Sequence, residues 1–235
     1  MTPTERIRLE KAAADCGFER TPELEDGALR LRSAKFPESL LLRPLDEGRI
    51  AIEVSDPVLL DGASACEVTG YEALWQKLGE IAAWARTRPN RIADAFRSDT
   101  AGLPRRTEIE RLVVQRVGQQ LFRAALLDYW RGACCITGLD RPELLRASHI
   151  RPWADCDRDE QRLDVHNGLL LAPHLDALFD GGWLTVADDG AVQLATSLSP
   201  TQRRQLGLSA ELRVNGLRPA HAEYLCWHRE RVWRC

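Results

Sequence analysis

The side chains best placed to do chemistry lie between residues 134 and 183. His149 closes a short apolar run, LLRASHI, that reads as a strand, and Pro152 bars its continuation. Asp176 and Asp180 stand four apart in PHLDALFD. This segment reads as a helix with Pro173 in its first turn and Gly181-Gly182 as its stop, so both carboxylates share one face. No Lys or Arg in the segment pairs them, and two such carboxylates suit a hard cation. A histidine near a cation and a phosphate can take a proton from water, because imidazole titrates near neutrality. Asn167 opens a second strand, GLLLA, after an open acidic loop from Ala154 to Asp164. Its amide can bond backbone groups across that loop and fix the shape that holds His149. Each of these residues has a plainer reading. A lone histidine after a strand is usually a satisfied polar residue, and Asp180 could be a helix-end residue turned to solvent, although a carboxylate there opposes the helix dipole. His166 and His174 read as structural or surface residues, Cys134 and Cys135 as core, and Trp153 as packing over the loop.

The elements that must position these residues predict an α+β fold in two parts. Residues 2–17 read as a helix capped by Thr2 or Thr4 and ended by Gly17. Three short β segments follow, ALRLRS, SLLLRPL and RIAIEVS, with turns at Glu25-Asp26-Gly27 and Asp46-Glu47-Gly48. Tyr71–Arg86 reads as an amphipathic helix, with Leu74, Leu78, Ile81 and Ala85 at 3–4 spacing. These elements define an N-terminal α+β domain, 1–86, with no motif of known chemistry. Residues 87–104, polar with two prolines and a glycine, read as a linker. The second domain, 105–235, opens on a helix with Thr107 as cap and Glu110 at the capping-box position.

Charge is distributed unevenly. Residues 132–200 hold 5 Arg against 11 acids, while 104–131 hold 6 Arg against 3 acids and 201–235 hold 7 Arg against 3 acids. An acidic centre flanked by arginines repels phosphate unless a cation sits in it, with the arginines holding the backbone around it. The same arginines also read as solvated helix faces. A pI near 6.0 argues against strong nonspecific binding to nucleic acid. Seven cysteines, with no CxxC pair, leave no ligands at the usual spacing for a four-cysteine zinc. No stretch approaches the roughly 18 apolar residues of a membrane span, and Met1–Cys16 has no apolar signal core, so a cytoplasmic protein with reduced thiols is expected.

His149 in ASHIRPW, Asn167 in DVHNGLLL and Asp176 in PHLDALFD resemble the HNH, or ββα-metal, endonucleases. Residues 105–235 as a whole resemble the bacterial group described as putative restriction endonucleases. The resemblance implies a C-terminal ββα-metal domain with flanking helices that hydrolyses phosphodiester bonds, in DNA before RNA, in a restriction or defence setting. His149 would be the general base, Asn167 the brace of the loop, and Asp176 and Asp180 the ligands of one divalent ion. Asp176 and Asp180 stand nine and thirteen residues after Asn167, where colicin-type members place two histidines. Aspartates there favour Mg²⁺ or Mn²⁺. Arg146 and Arg151 flank His149 and would bind phosphate. Many members carry a further ligand just before the first histidine; here that position is Ser148, and Asp164 or a water is the candidate substitute. The resemblance leaves a homodimer possible. It also leaves a degenerate, DNA-binding module as the alternative, while 1–86 is a candidate for target recognition.

Overall fold

The computed structural model describes residues 2–104, 107–209 and 211–235, the side chain of Pro89 excepted. It divides into two compact units, Met1–Arg86 and Thr87–Cys235.

The first unit packs helix α1 (Pro3–Asp15) and helix α2 (Tyr71–Arg86) with a five-stranded antiparallel sheet. The sheet is a meander of β1 (Glu23–Glu25), β2 (Ala28–Leu31), β3 (Leu40–Pro44), β4 (Arg49–Val54) and β5 (Ala65–Thr69). Thr2 caps α1 in a capping box with Glu5. Leu29, Leu42 and Ile52 stand in register across β2, β3 and β4 and are fully buried, which fixes the pairing because a one-residue slip would turn them outward. Asp26 and Gly27, with φ of 46° and 76°, form the two-residue turn from β1 to β2 that left-handed backbone makes tight. The three β segments expected from hydrophobicity are present as β2, β3 and β4. The edge strands β1 and β5 carry mostly exposed side chains, so they lack the apolar signal of a strand.

The second unit opens with helix α3 (Pro89–Thr100) and the long helix α4 (Glu108–Tyr129). The expectation of a linker over 87–104 is corrected by α3. Pro89 sits in the first turn, where a missing N–H costs nothing, and Ile92, Ala93 and Phe96 recur at helical spacing and are buried. The prolines and the glycine flank this helix rather than break it. Helix α4 starts at the Thr107–Glu110 capping box, as the sequence predicts, and ends before the left-handed pair Arg131 and Gly132.

Strand β6 (Arg146–His149) then pairs antiparallel with β7 (Gly168–Leu171), and helix α6 (Pro173–Asp180) follows directly. The excursion between the two strands contains the short helix α5 (Asp159–Arg162). A small hairpin, β8 (Leu184–Val186) and β9 (Val192–Leu194), the short helix α7 (Pro200–Gln205) and helix α8 (His221–Arg231) complete the unit. Phe122 and Leu126 of α4 lie over Gly168 so closely that a Cβ there would sit 2.5 Å from the Phe122 ring. The two strands are thereby held against α4. Among the described residues no helix is long and apolar enough to cross a membrane.

Gly118 lies in the middle of α4, where Ala normally stabilises a helix by about 1 kcal/mol over Gly. Here a Cβ would overlap the Trp153 ring and come within 3.2 Å of Phe96. Gly118→Ala therefore lowers the stability of this unit by about 1–3 kcal/mol, read by denaturant unfolding; a gain would show that Trp153 does not rest on α4.

Candidate active site

His149 and Ser148 are neighbours on β6 and so face opposite ways. The His149 ring stacks on Phe122 of α4, with ring centres 3.8 Å apart and planes 11° from parallel. Trp153 meets it edge-on at 6.0 Å. Its Nε2 lies 2.8 Å from the carbonyl oxygen of Arg162. A carbonyl only accepts, so Nε2 carries the proton and the neutral ring keeps its lone pair on Nδ1. No side chain or backbone group among the described residues is bonded to Nδ1. Burial holds the His149 pKa below the ordinary histidine value, and the Arg162 carbonyl opposes that shift only in part. The ring is therefore neutral near pH 7, the form that accepts a proton.

Arg162 can offer this carbonyl because Asn167 fastens the loop. The Asn167 side chain is fully buried. Its Oδ1 accepts from the Arg151 N–H at 2.7 Å, and its Nδ2 donates to the carbonyls of Arg151 and Gln161, each at 3.0 Å. Its backbone carbonyl accepts from the Ile150 N–H at 3.0 Å. One residue thus ties both ends of the 151–161 loop. The Arg162 guanidinium adds bonds to the carbonyls of Trp153 and Cys156.

On the other side of β6, Ser148 is buried and donates to Asp180 Oδ1 at 3.2 Å. The position read from sequence as a poor ligand therefore holds a candidate ligand. Asp180 remains open to solvent on one side, while the surrounding wall and then the charge of Asp176 push its carboxyl pKa up; the Ser148 hydroxyl opposes them. Neither Asp176 nor Asp180 has an ion pair among the described residues. The end of α6 is anchored by His228 of α8, whose ring stacks on Phe179 at 3.9 Å. Nε2 of His228 donates to the Phe179 carbonyl at 3.0 Å, and its Nδ1 accepts from the Thr185 hydroxyl at 2.9 Å. Sequence reasoning misses His228, because nothing in HAEYLCWHRERVW distinguishes it from a surface histidine.

His149, Ser148, Asp176, Asp180 and Arg146 line one cavity of about 580 Å³, with Gln119 and Arg123 of α4 on its wall. Arg146 is exposed and shares a strand face with Ser148. Arg123 is engaged with the carbonyls of Leu145 and Pro142, which pins α4 to the start of β6. Arg151 does not line the cavity. Its backbone belongs to the Asn167 network and its guanidinium lies 3.4 Å from Asp157. Asp164 does not fill the gap left by Ser148 either: its carboxylate is taken by His166 and by the Tyr224 hydroxyl, so it joins α8 to the turn before Asn167. His174 is exposed, and Cys134 and Cys135 are buried.

Residues 134–187 match the family model described as HNH endonuclease. This segment belongs to the HNH endonucleases. The match runs from Cys134 through both strands and α6 into β8, and so contains every cavity residue singled out from sequence. No curated protein matches the chain. The HNH segment fits a divalent ion in one respect: Asp176 and Asp180 share one face of α6, line the same cavity and make no ion pair among the described residues. Among the described residues, no group of three or more His, Cys, Asp or Glu side chains is gathered to hold an ion. Protein would thus supply only part of a coordination shell, as is common for Mg²⁺, which keeps several waters.

Outside the cavity, the second unit buries His221 in neutral form. His221 packs against Trp130 and against His166 at 4.8 Å, its Nδ1 accepts from the Arg218 N–H at 3.0 Å, and its Nε2 is buried without a partner. Burial first, and the neighbouring His166 second, lower its pKa to about 3. Unfolded, it titrates near 6.5. Between those values the unfolded chain binds the extra proton, so His221 contributes stability above about pH 6.5 that is lost as pH falls toward about 3. Melting curves from pH 7 to pH 5 should show this unit losing up to about 1.4 kcal/mol per pH unit from this residue, and His221→Phe should flatten the slope. An unchanged slope would mean that His221 is not held neutral.

Proposed function

We propose that the protein is a metal-dependent DNA endonuclease of restriction or defence type. The observation that carries this reading is the pairing of a neutral His149, its Nδ1 lone pair unbonded, with two unpaired carboxylates on the wall of the same cavity. His149 Nδ1 takes a proton from a water, and the water oxygen attacks phosphorus in line with the departing 3′ oxygen. The departing 3′ oxygen takes a proton from solvent, so the products carry a 5′-phosphate and a 3′-hydroxyl. Asp176 and Asp180 would hold one Mg²⁺ or Mn²⁺, which when bound supplies positive charge for the pentacovalent phosphate. Arg146, exposed on the same strand face as Ser148, holds a phosphate oxygen. Ser148 keeps the Asp180 carboxylate aimed into the cavity, and Asn167 keeps the Arg162 carbonyl under His149. Arg151 supports the reaction through its backbone bonds to Asn167 rather than through phosphate. DNA is favoured because the site would grip backbone and, among the described residues, no strand carries a Phe, Tyr or Trp side chain for single-stranded RNA.

The absence of a three-ligand group among the described residues favours one second reading, a DNA-binding module with a lapsed site. Supercoiled plasmid separates the two. With Mg²⁺ or Mn²⁺ the wild type should nick it, EDTA should stop the reaction, and His149→Ala should lower the rate about 10²–10⁴-fold. Asp180→Asn should raise the metal concentration needed for half-maximal rate. Binding without cleavage under every metal condition would support the module, and cutting by His149→Ala at the wild-type rate would remove His149 from the role of base.

A further inference from the structure

We infer that the first unit carries a separate anchor for nucleic-acid backbone phosphate, in the cavity formed by Arg20, Arg32 and the turn Ser33–Pro37; the inference rests on the proposed action on DNA. The cavity holds about 370 Å³ and is lined by three cationic side chains, Arg20, Arg32 and Lys35. This concentration is local, because residues 1–99 as a whole hold 14 Lys and Arg against 18 Asp and Glu.

The cavity is built rather than incidental. The carboxylate of Glu19 accepts from the Ser33 hydroxyl at 2.9 Å and from the Ala34 N–H at 2.8 Å, and the Lys35 N–H donates to Ser33 Oγ at 3.1 Å. Glu19 is thereby committed to shaping the turn. Phe36 is buried against Phe18, with ring centres 5.5 Å apart, which fixes the far side of the turn and leaves Lys35 outside. The backbone of Arg20 donates to the Arg32 carbonyl, so the two arginines spring from adjacent, joined segments.

The cations are underused. Arg32 spends Nη2 on Glu23, yet its Nε is buried without an acceptor. A buried donor left without a partner is destabilising, and an incoming acceptor relieves it. Arg20 and Lys35 are exposed and make no ion pair among the described residues. A phosphodiester oxygen seated between Arg20 and Lys35 would meet both of these cations and offer an acceptor to Arg32 as its guanidinium turns from Glu23. Such bonds position a duplex and carry no sequence information. The site therefore adds grip outside the cleavage cavity and would account for how a chain of net charge -3 holds a polyanion.

The test uses the full chain in EDTA with a fluorescent duplex, read by anisotropy over a range of salt. Removing one phosphate-binding cation lowers the salt slope by about 0.9, so Arg20→Gln with Lys35→Gln should reduce it by nearly 2 and weaken binding roughly tenfold at low salt. Arg8→Gln with Lys11→Gln, the same charge change on α1, should leave both unchanged. His149→Ala should keep the wild-type slope, which separates this anchor from the cleavage site. An unchanged slope in the Arg20/Lys35 pair, or an equal reduction in the Arg8/Lys11 pair, would overturn the anchor while the nuclease reading stands. Displacement of the duplex by inorganic phosphate matched to its own phosphate content would assign the cavity to free phosphate instead. Failure of the wild type to bind duplex at low salt in EDTA would overturn the anchor, while plasmid cleavage with Mg²⁺ or Mn²⁺ decides the nuclease reading separately.

Discussion

The buried amide of Asn167 is the constraint on which the site depends. Strands β6 and β7 are joined by an eighteen-residue excursion, 150–167, and a loop of that length has no single shape of its own. Asn167 removes the freedom by donating to two carbonyls and accepting one N–H inside a region closed to water. In that setting an unmade bond is expensive, so the loop is held to the one conformation in which all are made. The consequence reaches His149 through Arg162: the fixed carbonyl selects the ring tautomer, and the Phe122 and Trp153 rings select its plane.

The two faces of β6 divide the chemistry. Toward α4 the environment is aromatic and dry enough to hold His149 neutral. Toward α6 it is carboxylate, with Ser148 joining strand to helix and His228 closing the helix end onto α8. A strand's alternation of side chains is what lets two adjacent residues face the proposed base's aromatic wall and the proposed cation site. The site is thus a product of three packings, α4 on the strands, α6 on β6 and α8 on α6, rather than of the short motif alone.

Much of this is legible in the sequence where one physical signal dominates. The α+β class, β2, β3 and β4, the α2 helix and the α4 capping box follow from hydrophobic period and cap chemistry. The HNH segment follows from His149, Asn167 and Asp176, and the family match over 134–187 agrees with it. Signals that need tertiary structure are misread or missed. Residues 87–104 read as a linker because prolines and polar residues outweigh Ile92, Ala93 and Phe96, whose burial needs α4 as a partner. Arg151 reads as a phosphate ligand from its place beside His149, yet the loop turns it toward Asp157. Ser148 reads as a missing ligand because a hydroxyl's partner 32 residues away is invisible in its neighbours. His228 gives no signal at all, since its value lies in Thr185 and Phe179.

The central claim is that the Asn167 network sets His149 as a neutral base with its lone pair on Nδ1. Nitrogen-15 NMR of histidine-labelled protein reads this directly. The account predicts that at pH 7 His149 is neutral with the proton on Nε2, and that Asn167→Asp, which puts an acceptor against the Arg151 and Gln161 carbonyls, abolishes that preference while the protein remains folded. A proton on Nδ1, a charged ring at pH 7, or an unchanged tautomer in Asn167→Asp would contradict it.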